Sequence, residues 1–371
     1  MVVDEHRQYL SDEPRLSAFR EAIARVVKPG DVVVDLGAGT GILGLLACRA
    51  GAARVYAIDE GGMIQLAREI CRANGFADRV TFIKEVSERA TLPERADVVV
   101  ADQIGRFGFE AGLLECFSDA RARFLKPGGR MIPVRVTLEV APVEHSDLSG
   151  QVEFWTGRPE GFDVGPARAV AANTGYPARF RPDHLLAIPA RLALLDLATA
   201  TPGPFRGDVT VEVTRDGTLH GVGGWFAADL APGVTMSNGP LAPAPINRHN
   251  VFFPIDCPVT VKQGDRVRIA MRIVPGESMV TWTVEAGGQR FVHSTFRGML
   301  IAPEDLARTQ PGFRPRLSPR GEARRTVLAL CDGRRPLAEI EGEVHARHAE
   351  LFESAAAAAR FVAEVVTRYA V

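Results

Sequence analysis

The chain has 371 residues, 46% hydrophobic and 24% charged, enough for two or three domains that each bury a core. Its formal charge of -1 supplies no chain-wide field for nucleic acid or a membrane surface, and its five cysteines are scattered without Cys-x-x-Cys spacing, as reduced core thiols are. No stretch approaches the roughly 18 to 20 apolar residues that cross a bilayer, and the charged segment from Met1 to Asp12 has no apolar signal core, so the sequence predicts a cytoplasmic protein.

In chain order, Tyr9 to Val27 carries Leu16, Phe19, Ile23 and Val27 at helical spacing and predicts an N-terminal helix within a covering segment, residues 1–28. Over residues 29–133, continuous apolar runs at Val32 to Leu36, Val55 to Ile58, Val80 to Ile83 and Asp97 to Ala101 alternate with helix-length segments. This is the pattern of a doubly wound α/β domain, a Rossmann-like parallel sheet with both faces covered. Residues 134–302 change to alternating strands, among them Val134 to Val140, Val209 to Val213, Val267 to Ile273 and Val280 to Val284, and predict an antiparallel β-barrel or sandwich, the barrel being the reading adopted. Within it, Phe162 to Thr199 reads as an inserted helical arm opening at Pro182-Asp183. A proline-rich link leads into residues 303–371, a small helical domain punctuated at Cys331-Asp332-Gly333 and Pro336.

The most specific local signal follows the first strand: Asp35-Leu36-Gly37-Ala38-Gly39-Thr40-Gly41-Ile42-Leu43. Glycines let the backbone approach a ligand with no Cβ in the way. Where a dinucleotide site needs Gly or Ala at the sixth position, Ile42 stands, so the turn suits a cofactor without phosphates, such as S-adenosylmethionine. Asp59, followed by Glu60, closes the second strand, where a carboxylate accepts both ribose hydroxyls; the plainer role is a helix cap. Ser87-Glu88 follows the third strand, where an adenine edge would lie, although a solvated loop carboxylate has the same pattern.

These segments, with Ala53 to Asp59, Val80 to Lys84 and Leu125 to Pro133, resemble the protein arginine methyltransferases. The likeness extends upstream to His6, Tyr9, Leu10 and Arg15, which fall in that family's cofactor-covering helix, and downstream to Gly161-Phe162-Asp163 and Val261 to Asp265 in its barrel. The resemblance implies S-adenosylmethionine as cofactor, S-adenosylhomocysteine as product, Arg15 as partner of the cofactor carboxylate, and a homodimer formed through the arm.

The likeness fails on the acceptor side. That family holds a guanidinium with two glutamates in the loop after the fourth strand. Here Asp102 replaces the first, Ala111 the second, Glu110 lies one position out of register, and Arg106 adds a positive charge. Ile246-Asn247-Arg248-His249 stands near the place of the family's Thr-His-Trp loop. Asp102 is therefore the first candidate for orienting an amine or accepting its proton, as well as a cofactor-side residue; Glu110 is the second, and His249 is a candidate for lining the acceptor cleft. The other histidines read as structural or solvated, and nothing has metal-ligand spacing.

Farther on, Ser318 to Gly321, Val327 to Ile340 and the last amphipathic helix resemble the PqqD-like, winged-helix domains that bind leader peptides of ribosomally made natural products by strand addition. Three readings follow. The leading one is an S-adenosylmethionine-dependent N-methyltransferase that tailors an amine of such a peptide, with the daptide-type pathways as the example, its precursor recruited by the C-terminal domain. The others are an arginine N-methyltransferase with an altered loop, and a non-catalytic adaptor.

Overall fold

The computed structural model describes residues 3–370. It divides into two compact units, one ending at Met299 and one beginning at Leu300. The first unit opens with two helices rather than one, α1 (Val3–Ser11) and α2 (Glu13–Val26). Asp12 is the reason: its carboxylate accepts the Arg15 N–H at the start of α2, and Pro14 occupies the first turn. Helix α1 buries none of its residues, whereas α2 buries Arg15, Phe19, Ala22 and Ile23.

There follow β1 (Val32–Leu36), α3 (Ile42–Arg49), β2 (Arg54–Ile58), α4 (Met63–Ala73), β3 (Val80–Ile83), β4 (Ala96–Ala101), α5 (Leu113–Arg123) and β5 (Leu125–Ile132). The strands form one parallel sheet in the order β3-β2-β1-β4-β5. All five residues of β1 are buried, as expected for a central strand covered on both faces. The order reverses between β1 and β4, so a crevice opens beyond their carboxyl ends, where such sheets place ligands.

The chain then enters β6 (Arg135–Val143), α6 (Ser146–Glu153), the single turn α7 (Arg168–Ala171), β7 (Tyr176–Ala178), β8 (Ala190–Asp196), β9 (Phe205–Glu212), β10 (Gly217–Ala231), β11 (Val234–Ser237), β12 (Asn250–Val261), β13 (Arg266–Val274), β14 (Met279–Ala286) and β15 (Gln289–Ser294). These make two antiparallel sheets, β7-β12-β10-β6-β8 with β11 on β10, and β15-β14-β13-β9, wrapped about a shared barrel core. That core is continuous with the parallel domain. Phe107, in the loop after β4, packs 5.6 Å from the Phe253 ring of β12.

The helical arm expected over Phe162 to Thr199 lies earlier in the chain. Helical turns occupy Ser146 to Ala171, while Pro182-Asp183 opens one short turn only and Ala190 to Asp196 is strand β8. Its Ala/Leu-rich sequence favours a helix in isolation, but pairing along β6 overrides that preference.

The second unit contains α8 (Pro303–Arg308), α9 (Pro319–Leu330), α10 (Leu337–Arg347) and α11 (Ala355–Tyr369). Ser318 and Ser354 cap α9 and α11 by accepting the Gly321 and Ala357 N–H groups. Gly333, with φ of +73°, turns the chain between α9 and α10. Val327, Ile340, Val344, Phe361, Val362 and Val365 form its core. This corrects the winged-helix expectation: among the described residues the unit has no strand, so it presents no sheet edge for a leader to extend. Truncation of Phe361 to alanine should cost about 3–5 kcal/mol of this unit's stability, read in the full chain as lost hydrogen-exchange protection over residues 319–369.

Candidate active site

A cavity of about 600 Å³ opens at the reversal point of the parallel sheet, within the roughly 300–1,000 Å³ usual for small-molecule sites. Its floor is the turn after β1. Gly37, Gly39 and Gly41 have φ of +66°, +53° and +77°, conformations that disfavour any Cβ. A Cβ would also make neighbours shift: on Gly37 it would stand 2.5 Å from Gln103 Nε2, and on Gly39 2.8 Å from His6 Cε1. Asp59, at the end of β2, fixes two backbone turns at once, since its Oδ2 accepts the Gly39 N–H at 2.8 Å and its Oδ1 the Gly61 N–H at 2.7 Å.

His6, Tyr9 and Arg15 line this cavity with Gly37, Ala38, Gly39, Thr40, Ile42, Leu43, Asp59, Glu60, Ser87, Glu88 and Asp102. The sequence also singled out Asp35 and Gly41, and here the structure departs. Neither lines the cavity. Asp35 is 1% exposed beneath the turn, where its Oδ2 accepts the Gly44 N–H at 2.8 Å and ties α3 to β1. A Cβ on Gly41 would face Phe82 and Ala67, within the fold. Burial lowers the His6 imidazole below its ordinary pKa despite nearby Asp59, so it is neutral at pH 7.

The acceptor-side candidates take unforeseen positions. Asp102, its side chain 8% exposed, is held by two arginines: Arg15 Nε donates to Oδ2 at 2.5 Å, and Arg248 donates through Nη2 to Oδ2 at 2.9 Å and through Nη1 to Oδ1 at 3.2 Å. Burial pushes its carboxyl upward, yet Arg248 and Arg15 outweigh burial and keep it below the usual carboxylate value. Asp102 is thus a fully engaged anion and a weak base.

Glu110 turns back into its own loop, where Oε2 accepts the Arg106 and Phe107 N–H groups at 3.0 and 2.8 Å. His249 is exposed and is not part of the lining. Three residues that the sequence did not mark support this region from outside the cavity lining. Arg248 supplies the guanidinium. Asn238, 4% exposed, donates from Nδ2 to the Arg106 and His249 carbonyls at 2.8 and 2.9 Å. Asp12, besides capping α2, accepts the Asn247 N–H at 2.9 Å. A local pattern could have marked Asp12 as a cap before Pro14; Arg248 and Asn238 act only across long sequence separations.

Comparisons with known proteins agree with this geometry. The arginine methyltransferase oligomerization subdomain matches residues 134–281, and the ribosomal protein L11 methyltransferase family matches residues 19–134. An arginine N(omega)-methyltransferase of Streptomyces achromogenes subsp. streptozoticus is 31% identical over 274 residues, covering 72% of this chain and 75% of that protein. The chain belongs to the arginine methyltransferase family. It is a methyltransferase, which sets aside the reading as a non-catalytic adaptor.

Protein arginine N-methyltransferase 1 of Dictyostelium discoideum is 29% identical, covering 73% of this methyltransferase and 81% of that protein. In fold, the chain is similar to the Trypanosoma brucei PRMT1 enzyme-prozyme heterotetrameric complex with AdoHcy, at a TM-score of 0.71, 22% identity and coverage of 78% and 96% of the two chains. It is also similar to Arabidopsis thaliana protein arginine methyltransferase 10, at 0.68, 22%, 79% and 98%.

Asp35 gives the protein an unusual pH dependence. Burial raises its carboxyl to about 7 from an ordinary 3.8. The unfolded chain therefore releases this proton first, and stability falls as pH rises from about 4 to about 7. Urea denaturation at pH 5 and pH 8 should show the wild type weaker at pH 8, with the difference reduced in Asp35→Asn.

Proposed function

We propose that this methyltransferase uses S-adenosylmethionine and delivers the methyl group to a nitrogen of a peptide, with an uncharged amine as the acceptor. The residues present fit the cofactor. Asp59 would hold the ribose hydroxyls, since each of its oxygens keeps a lone pair beyond its backbone bond; Glu88 would meet the adenine edge, and Arg15 the carboxylate. Arg15 gives Nε to Asp102 and Nη1 to the Tyr9 carbonyl, so its Nη2 would meet the cofactor carboxylate. When bound, the cofactor supplies an electrophilic sulfonium methyl. The chain would supply a fixed lining that positions the nucleophile.

One observation carries the amine reading. The carboxylate that faces the acceptor side, Asp102, already holds the guanidinium of Arg248. Asp102, already paired, offers little to stabilise an ammonium, and that favours the neutral amine, the form with a free lone pair.

Arginine is the second reading, and the names of the relatives favour it over a peptide amine. It requires an incoming guanidinium to displace Arg248. Precursor recruitment by the C-terminal unit rests on the sequence resemblance, and on this all-helical unit the peptide would lie along a helix face rather than extend a sheet. Dimer formation is supported by the match to an oligomerization subdomain and by the exposed Phe154 and Phe162 beside the helical turns of the arm.

Two peptides separate the readings: one with a free amine and no arginine, the other with a blocked amine and one arginine. With methyl-labelled cofactor, mass spectrometry should find the label on the first; label confined to the second would establish arginine. In the same protein, Asp59→Ala should weaken S-adenosylhomocysteine binding at least tenfold by calorimetry, and unchanged affinity would remove the cofactor assignment.

A further inference from the structure

The surroundings of Arg248 amount to a complete receptor for a guanidinium. Its fork meets Asp102 through two nitrogens, at 2.9 and 3.2 Å, the paired geometry in which carboxylates recognise planar guanidinium groups. Nη1 also donates to the Gly105 carbonyl at 3.4 Å. The rings of Tyr9 and Phe226 each lie 5.8 Å from its central carbon, so aromatic faces complete the enclosure. The side chain is 12% exposed.

The backbone that carries this side chain is pinned on both sides. The Asn247 N–H is held by Asp12, and the His249 carbonyl by Asn238, which also grips the loop after β4 at Arg106. Arg248 is thus held in place against Asp102, the lining residue through which it meets the cavity.

Its presence settles the charge arithmetic. Asp102 spends both oxygens on the chain's own arginines, and Glu110 spends its carboxylate on the N–H groups of its loop. A second guanidinium entering beside Asp102 would find that carboxylate already paired with two guanidinium groups. A neutral amine carries no such penalty.

We propose that Arg248 is an intrachain guanidinium that fills the acceptor face of Asp102 and thereby determines specificity, excluding guanidinium acceptors from the site. The proposal deepens the amine reading and rests on it for its consequence in catalysis. Its physical core, a guanidinium receptor occupied by the chain itself, is testable by binding alone.

The test removes the internal occupant and offers a free one. Arg248→Ala and Arg248→Gln, each checked for a cooperative thermal transition, are titrated with methylguanidine in the presence of S-adenosylhomocysteine, with methylammonium as the control cation. Should alanine fail to fold, the longer glutamine variant carries the measurement. The variant should bind methylguanidine at least tenfold more tightly than wild type, melt at a higher temperature in its presence, and lose both effects when Asp102→Asn is added. Equal methylguanidine affinity in wild type and variant, or an effect matched by methylammonium, would overturn the proposal. Failure of the wild type to bind S-adenosylhomocysteine would instead strike the cofactor reading, and the titration of the protein alone would still decide the role of Arg248.

Discussion

One buried carboxylate determines how the catalytic half of this protein is assembled. Asp102 lies at the carboxyl end of β4, and a charge so enclosed is tolerated only with partners, an unpaired one costing several kcal/mol. Its partners come from two other places in the chain, Arg15 from α2 and Arg248 from the segment between β11 and β12. Pairing therefore draws the covering helices, the parallel sheet and the barrel to one point. Arg15 and Arg248 share the same oxygen of Asp102, so α2 and the segment between β11 and β12 are linked through a single atom.

The neighbouring contacts make that point rigid. Asn238 takes the Phe226 N–H on its oxygen and gives its amide protons to two loop carbonyls, so a single buried side chain secures both loops. Phe107 and Phe109 wedge the loop after β4 into the barrel core, and the Glu110 carboxylate stitches the turn closed. A buried polar network satisfied to this degree has one arrangement, as a site that acts by positioning needs.

The sequence made some of this legible and concealed the rest for physical reasons. Continuous Val/Ile runs mark central parallel strands because both faces are buried, and the glycine turn is local, so β1 and the cavity floor could be read directly. Asp35 belongs to the same motif yet points beneath the turn, because strand side chains alternate faces and motif spacing alone does not say which face meets the ligand. The segment Ala190 to Asp196 has helix-forming composition and became a strand because β6 offered it partners 50 to 61 residues away. Arg248 carried no signal, since an arginine in a loop gains meaning only from the carboxylate it meets 146 residues away.

The charge at this point bears on how an amine could be made nucleophilic. An aliphatic ammonium with a pKa near 10 keeps its proton at neutral pH, and a site must either accept that proton or make it unwelcome. Asp102 is poorly suited to accept it, because two guanidinium groups hold its carboxyl low, and Glu110 is committed to backbone donors. With neither carboxylate available, an ammonium has little to hold its charge, which would lower the pKa of a nearby amine toward its free base. A guanidine gains little from the same surroundings, since its pKa above 12 lies far beyond such a shift and its methylation calls for carboxylates to orient it. On the proposed amine reading, the pairing that holds the fold together at Asp102 also occupies the carboxylate that a charged acceptor would need.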